Sequence, residues 1–295
     1  MPFGQVITFS AGNLLRRLVR GARRVWQRAD WAAFAGRNWE ECAMSMKATD
    51  DFHTKEGRST CRVILHADGR SLGVYLKRHY RLSWWRGWLA TIFPSGGWSP
   101  AWQEWRHLQW AQEQGIPVPE TVAVAEFIGP RGALQSFLAV EELTGMVRLH
   151  EAIPLAAAQL DANTFDIWKR GLVFELARLT RLLHDRRRFH KDLYISHFFI
   201  PHDAIGEIND WRGQVYLIDF HRLCYHPITW PLWQAKDLGQ LLFSSQVAGV
   251  TPRDRLRFWH WYLKGNSRSE WLRPLVLFKD WTYKRHQARK KRRAA

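Results

Sequence analysis

The sequence predicts an α+β protein of two lobes, in which a small antiparallel sheet with one key helix precedes a mainly helical part. Alternating apolar and polar residues on both sides of Asp68-Gly69 predict a β-hairpin of residues 61–66 and 71–77. From about residue 144 the apolar residues recur at helical spacing instead. The 295 residues, 46% of them hydrophobic, suffice for two lobes with a sizeable core.

Boundaries are placed where the pattern changes. A basic amphipathic segment covers 1–40, the first lobe 41–143, the second lobe 144–280 and a basic tail 281–295. No apolar run reaches the roughly 18 residues that a membrane span needs. The N-terminal stretch has no apolar signal core, so the sequence predicts neither a transmembrane helix nor secretion.

Charge and composition limit the partners. The net charge of +17 attracts polyanions such as nucleic acid, anionic lipid headgroups or phosphorylated glycans. The 18 tryptophans suit a membrane interface as well as a core. Three widely separated cysteines, Cys42, Cys61 and Cys224, indicate a reducing compartment and no zinc site. We find no recognition helix or aromatic-basic RNA motif, so nucleic acid is not an expected partner.

The first element is a predicted helix over residues 11–28, flanked by arginines. Its apolar residues, including Leu14, Leu18, Val25 and Trp26, can share one side. Two interpretations remain open: a basic amphipathic helix lying in a membrane surface, or a helix packed on the domain with a solvated basic face. Gly21 weakens the helix in both cases.

A lysine and a glutamate in the first lobe are predicted to pair. Lys77 ends the second hairpin strand, and a helix then begins at Ser99-Pro100, an N-cap with proline at the first helical position. At 100° per residue Glu104 falls within the apolar stripe of this helix. A buried carboxylate needs a partner, and Lys77 on the neighbouring strand is the predicted one. Residues 121–127 and 136–140 are two further strands.

Two acids mark the second lobe. Asp192 lies on a short polar loop after a helix that runs to His184, and Asp219 ends a strand-like run. They could be a turn acid and a strand-end cap. However, a His-x-Asp loop followed by a strand closing on Asp is also how kinase-fold phosphotransferases arrange their chemistry, and a Lys–Glu pair upstream is the other part of that arrangement. The order of these features therefore predicts a protein-kinase-like two-lobe fold.

Other residues receive roles within that fold. The polar segment 50–60, whose only glycine is Gly57, is the predicted loop over the nucleotide phosphates. Backbone groups at Glu142, where the lobes would hinge, are expected to meet an adenine. Asp237 either braces the loop of Asp192 or is a helix-start acid, and we favour the brace. The basic C-terminal tail is predicted to be disordered and able to bind anionic surfaces.

The ordered motifs resemble the lipopolysaccharide kinase family of the Kdo/WaaP type over about residues 40–245, and they are closer to its heptose kinases. The motifs are Glu56-Gly57-Arg58-Ser59-Thr60, Tyr75-Leu76-Lys77-Arg78-His79-Tyr80, Glu104-Trp105, Gly115-Ile116-Pro117-Val118-Pro119, His190-Lys191-Asp192-Leu193-Tyr194-Ile195-Ser196-His197, Ile218-Asp219-Phe220-His221 and Lys236-Asp237-Leu238.

The resemblance implies ATP and Mg²⁺ as cofactors. Asp192 would be the catalytic base, Asp219 would bind Mg²⁺, and Lys77, held by Glu104, would contact the α- and β-phosphates. His197 stands where protein kinases use an asparagine for a second metal, but Mg²⁺ prefers oxygen, so the number of metals stays open. His190 is expected to support the loop.

The expected function is therefore an ATP-dependent kinase that phosphorylates a sugar hydroxyl, a heptose by the resemblance, in the lipopolysaccharide inner core. Its expected partners are the core glycolipid and an anionic membrane surface, and its expected location is cytoplasmic and peripheral on the inner membrane. The alternatives are a kinase-fold phosphotransferase with a soluble small-molecule or protein acceptor, and a non-catalytic, membrane-binding pseudokinase.

Overall fold

The computed structural model describes residues 8–10, 13–47, 50–55, 57–206, 210–264 and 270–294. Two compact units divide the chain: unit 1 comprises residues 1–110 and 119–144, and unit 2 comprises residues 111–118 and 145–295. The described part of unit 1 is mainly β-sheet, and the described part of unit 2 is mainly helical. This agrees with the predicted α+β class.

Unit 1 is built on an antiparallel sheet with the strand order β1-β2-β6-β7-β5-β4-β3. Its strands are β1 (Thr8–Ser10), β2 (Ala22–Gln27), β3 (Asp50–Lys55), β4 (Arg58–Ala67), β5 (Arg70–His79), β6 (Thr121–Ile128) and β7 (Leu134–Glu141). Its helices are α1 (Leu14–Arg20), α2 (Trp31–Ala35), α3 (Trp39–Cys42), α4 (Trp84–Ile92) and α5 (Pro100–Glu113), the last of which ends in unit 2.

The predicted hairpin is present as β4 and β5. Asp68 and Gly69 both have positive φ, 50° and 72°, as the tightest hairpin turns require. Alternation buries Val63, Val74 and Leu76 against the tryptophans of α2 and α3. The predicted loop over residues 50–60 is instead largely the end of a second hairpin, because β3 pairs with β4 across a turn at Gly57. Glu56 lies outside the described residues.

The single helix expected over residues 11–28 is wrong in its second half. Helix α1 ends at Arg20, and Gly21 follows with φ of 75°. A Cβ on Gly21 would lie 2.2 Å from the carbonyl oxygen of Ile128, so only glycine fits there. The chain then enters β2, which pairs with β6, and Val25 and Trp26 are buried there. Sheet pairing therefore overrides the helical pattern.

Unit 2 is mainly helical. Its helices are α6 (Leu149–Gln159), α7 (Ala162–Asp185), α8 (Trp230–Ser244), α9 (Pro252–Leu263) and α10 (Leu272–Ala294). Its short strands are β8 (Met146–Arg148), β9 (Arg188–Phe189), β10 (Phe198–Pro201), β11 (Tyr216–Leu217) and β12 (Cys224–Tyr225). Asp161 caps α7 by accepting the N–H groups of Asn163 and Thr164, and the predicted stripe of this helix is buried.

The C-terminal segment departs from the predicted disorder. Residues 281–294 continue α10, whose Ala, Gln, Lys and Arg residues are strong helix formers. Upstream the helix is anchored on α8, where a Cβ on Gly239 would lie 2.6 Å from the Lys279 side chain. No helix in the described ranges is both long and apolar enough to span a bilayer.

Candidate active site

The loop that carries Asp192 is held from the buried side by α8. The carboxylate of Asp237, which is fully buried, accepts the N–H of His190 at 2.7 Å and the N–H of Lys191 at 2.8 Å. Lys191 has φ of +69°, a strained value for a residue with a side chain. The two hydrogen bonds from Asp237 therefore stabilise the sharp turn that presents Asp192.

Two further residues of α8 continue this support. Gln240 Oε1 accepts the N–H of Leu193 at 3.2 Å, and the Ser244 hydroxyl accepts the N–H of Ile195 at 2.9 Å. Positions 237, 240 and 244 lie on one face of a helix, so successive side chains of α8 hydrogen-bond to successive backbone groups of the loop. The sequence interpretation missed Gln240 and Ser244, although their spacing from Asp237 was a usable signal.

A short antiparallel ladder brings the second acid beside this loop. Strand β10 pairs with β11 in the register Phe198↔Leu217, and Ile218 N donates to the carbonyl of His197 at 3.0 Å. His190 Nε2 donates to the carbonyl of Ile218, also at 3.0 Å. Burial lowers the pKa of His190, so its ring is neutral and acts as a fixed strut between the two acidic loops.

Asp219 follows directly in a left-handed conformation, with φ of 69° and ψ of 54°. His221 Nδ1 lies 2.5 Å from its Oδ1, and the ring N–H donates to the carboxylate. The Asp219 side chain is about one-third exposed. A partly exposed carboxylate on a strained turn beside the loop of Asp192 can bind a cation.

Asp192 itself contacts an arginine that the sequence interpretation missed. Arg222 Nη1 lies 3.0 Å from each carboxylate oxygen of Asp192. Arg222 comes three residues after Asp219, so the turn that contains Asp219 also contains the positive charge that pairs with Asp192. His197 Nδ1 donates to the backbone carbonyl of Asp192 at 2.8 Å, which leaves Nε2 as the only ring nitrogen able to bind a metal.

Two lysines add positive charge to the loop of Asp192. Lys236 Nζ donates to the carbonyl of Lys191 at 2.5 Å, and burial together with Arg222 lowers the pKa of Lys236. Lys191 Nζ lies 4.0 Å above the ring centroid of Trp233. The loop of Asp192 thus has positive charge from Arg222, Lys191 and Lys236, which suits anionic reactants.

In unit 1 the predicted Lys–Glu ion pair is present. Lys77 Nζ lies 2.6 Å from Glu104 Oε1, and only 4% of the Glu104 side chain is exposed. Lys77 lies on β5 between β4 and β7, and Glu104 lies on α5. The start of α5 is held where Ser99 N donates to Glu126 at 2.7 Å.

The other two predicted nucleotide contacts lie at strand ends of unit 1. Gly57 has φ of 77° in the β3–β4 turn, and its carbonyl accepts the N–H of Tyr80 at 2.8 Å. Glu142 pairs through its carboxylate with Arg62 at 2.8 Å. Its N–H donates to Gly73, and its carbonyl accepts from Thr144. That carbonyl oxygen has a second lone pair, which can accept one further hydrogen bond.

Comparison with known proteins gives consistent results. Residues 57–262 match the model of the lipopolysaccharide kinase (Kdo/WaaP) family. The lipopolysaccharide core heptose(I) kinase WaaP of Pseudomonas aeruginosa is 32% identical over 212 residues, which are 71% of this chain and 75% of that protein. WaaP of Escherichia coli K12 is 29% identical over 157 residues, which are 53% of this chain and 57% of that protein.

A solved structure described as WaaP in complex with acyl carrier protein superposes with a TM-score of 0.67 at 24% identity. The alignment covers 89% of this chain and 98% of that one. The likeness confirms the predicted kinase-like fold. Lys77, Glu104, Asp192, His197 and Asp219 all fall inside the range matched by the family model.

Proposed function

The chain belongs to the lipopolysaccharide kinase (Kdo/WaaP) family, and we propose that it transfers the γ-phosphate of ATP to a heptose hydroxyl of the lipopolysaccharide inner core. The relatives in two bacterial species are named as kinases of this core heptose. The observation that carries the proposal is the buttressed Asp192 loop beside Asp219 within the family range.

Asp192 is the proposed general base. Its carboxylate would accept the proton of the sugar hydroxyl as that oxygen attacks phosphorus. Arg222 holds both of its oxygens in the structure, so the carboxylate is oriented before the acceptor arrives. Phosphoryl transfer depends on positioning and charge stabilisation, and the support from α8 and Arg222 supplies the positioning on the acceptor side.

Asp219 is the proposed ligand of Mg²⁺. Mg²⁺ takes one or two carboxylates and completes its octahedron with phosphate oxygens and water, so a partly exposed carboxylate on a turn fits this ion. Bound there, the ion would neutralise charge on the nucleotide phosphates. His197 offers a nitrogen, the less suitable donor, so its proposed part is smaller and includes holding the Asp192 backbone.

Lys77 is the proposed contact of the α- and β-phosphates, and Glu104 is the residue that orients it. The buried carboxylate fixes the ammonium group at a defined place instead of leaving it solvated. Gly57 would lie over the phosphates, and the carbonyl of Glu142 would meet the adenine. Among these residues, the Lys77–Glu104 pair makes the larger electrostatic contribution.

One assay tests the function. Purified protein is incubated with γ-labelled ATP, Mg²⁺ and lipopolysaccharide core stripped of its phosphates, and the label is located by mass spectrometry of the released sugars. Label on a heptose supports the proposal. Label on a different sugar, or transfer only to a protein or a soluble metabolite, would redirect it to the alternative acceptors. The proposed setting is the cytoplasmic face of the inner membrane, where the acceptor glycolipid is embedded.

A second proposed partner is an acyl carrier protein. Unit 2 contains a cavity of about 430 Å³ between α7, α8, α9 and α10. Its lining is mostly apolar and includes Leu172, Leu176, Leu238, Leu241, Leu242 and Val276. A cavity of this size and character fits an aliphatic chain, and the related WaaP structure contains an acyl carrier protein.

This partner is tested with purified components. Acylated and unacylated acyl carrier protein are titrated separately into the protein by calorimetry. We expect the acylated form to bind more tightly, and Leu242→Trp, which fills the cavity, to remove the difference. Equal binding of both forms, or none, would exclude an acyl-chain site here.

A further inference from the structure

Helix α4 of unit 1 buries its small residues and exposes its large apolar ones. Gly87, Ala90 and Thr91 are buried, whereas Trp84, Trp88 and Ile92 are exposed at intervals of four residues. A helix on a globular protein normally turns its large apolar residues inward. The small residues allow close packing, because a Cβ on Gly87 would lie 1.6 Å from the carbonyl oxygen of Gly132. The tryptophans are therefore exposed at the surface of the described residues.

Helix α1 extends this surface. None of its seven residues, all within the described part of the chain, is buried. Leu15 and Val19, again four residues apart, are 73% and 72% exposed. Arg17 Nε donates to the carbonyl of Thr91 at 2.7 Å, which ties α1 to the C-terminal end of α4. We call the combined surface the Trp-rich face, and its members are Leu14, Leu15, Val19, Trp84, Trp85, Trp88, Ile92 and Phe93.

The charged residues on the two helices of the Trp-rich face have one sign. Helix α1 contains three arginines and α4 contains one, and neither helix contains an aspartate or a glutamate. Arg16 and Arg20 are exposed on α1, and the Arg86 guanidinium lies 5.3 Å from the ring centroid of Trp85. Tryptophan favours the headgroup level of bilayers, and arginine binds anionic headgroups. A partner protein would need an acidic, apolar groove to match both features, whereas an anionic bilayer supplies them together.

We propose that the Trp-rich face docks unit 1 on an anionic phospholipid bilayer, with the indole rings at the headgroup level and the arginines on lipid phosphates. The proposal deepens the membrane location given above. It corrects the sequence expectation, because the docking surface is a seven-residue helix joined to a tryptophan helix from 70 residues further on, rather than one long N-terminal helix.

The test measures binding without catalysis. The full-length protein is co-sedimented with vesicles of phosphatidylcholine alone, or of phosphatidylcholine mixed with phosphatidylglycerol. We expect binding to the anionic vesicles, weakened at least about tenfold by Trp84→Ser combined with Trp88→Ser. Arg16→Gln and Arg20→Gln should each weaken it about fivefold, and only on anionic vesicles. The matched control is Trp261→Ser in unit 2, since Trp261 is 42% exposed and Trp88 is 41% exposed.

Each outcome decides for or against the proposal. Circular dichroism and the melting temperature establish that the variants are folded. Wild-type-like vesicle binding by the folded double-tryptophan variant, or an equal loss in the Trp261 control, would overturn the proposal. If the wild-type protein self-associates and the double-tryptophan variant does not, with vesicle binding unchanged, the face would be assigned to self-association instead.

The kinase assignment can fail separately. Turnover on a lipid-free core oligosaccharide should be unchanged in the double-tryptophan variant, and turnover on vesicle-embedded lipopolysaccharide should fall. If the wild-type protein phosphorylates neither acceptor but still binds anionic vesicles, the proposed function is wrong and the docking face stands.

Discussion

Replacing Asp237 by Asn tests whether α8 positions the loop of Asp192. Both carboxylate oxygens of Asp237 accept backbone N–H groups, from His190 and Lys191, at a fully buried site. The amide keeps one acceptor and places an NH₂ group against the other N–H. One charge-assisted hydrogen bond is lost, and one buried donor is left without an acceptor. We therefore expect the free energy of unfolding to fall by about 2–4 kcal/mol.

The same change should lower turnover more than stability alone explains. A loop displaced by about 1 Å costs on the order of 100-fold in rate. Urea denaturation gives the free energy of unfolding, and steady-state kinetics well below the melting temperature give kcat. The matched control is Asp166→Asn. Asp166 is 44% exposed where it pairs with Arg257, so the change should cost less than about 1 kcal/mol and leave kcat unchanged. The reasoning would be refuted by a folded Asp237→Asn protein whose free energy of unfolding lies within about 0.5 kcal/mol of the wild-type value and whose kcat is unchanged.

Four further predictions concern single residues. Asp192→Ala should lower kcat at least about 100-fold with the melting temperature nearly unchanged, and retained turnover would exclude it as the general base. Lys77→Met should raise KM for ATP and lower kcat, and Glu104→Gln should have the same effects more weakly. If both variants have the same kinetics as the wild type, the Lys77–Glu104 pair has no part in nucleotide binding. Arg222→Gln should lower kcat by roughly tenfold while nucleotide affinity, measured by calorimetry, stays constant. His190 has a pKa lowered from 6.5 by burial, so the folded state binds fewer protons and stability falls as pH drops below about 6.5; in His190→Gln this acid-side slope of the unfolding free energy should be shallower.

Features set by neighbouring residues could be read from the sequence. The turn at Asp68-Gly69 and the helix start at Ser99-Pro100 lie where the local pattern predicted them. Both depend on backbone preferences that act within a few residues. The pairing of Lys77 with Glu104 was also predictable, because helical periodicity places the carboxylate on a buried face and Lys77 on the neighbouring strand was the obvious partner.

Other features required the folded chain. Residues 22–27 have a helix-like pattern, but they form β2 because β6 offers a free strand edge and Gly21 turns the chain toward it. The contact of Arg222 with Asp192 joins residues 30 positions apart, and no local spacing encodes it. The basic run at the C-terminus is helical because its upstream part is packed on α8.

The sequence by itself determined the family, the order of the functional motifs and the identity of the charged residues in them, because these depend on residue type and spacing. The tertiary structure alone decided which groups orient Asp192 and which large apolar residues are exposed on the surface. Helix periodicity predicts that a helix has an apolar face but not which side packs inward. For α4 the close approach of Gly87 to Gly132 settles this choice, and it turns the tryptophans outward.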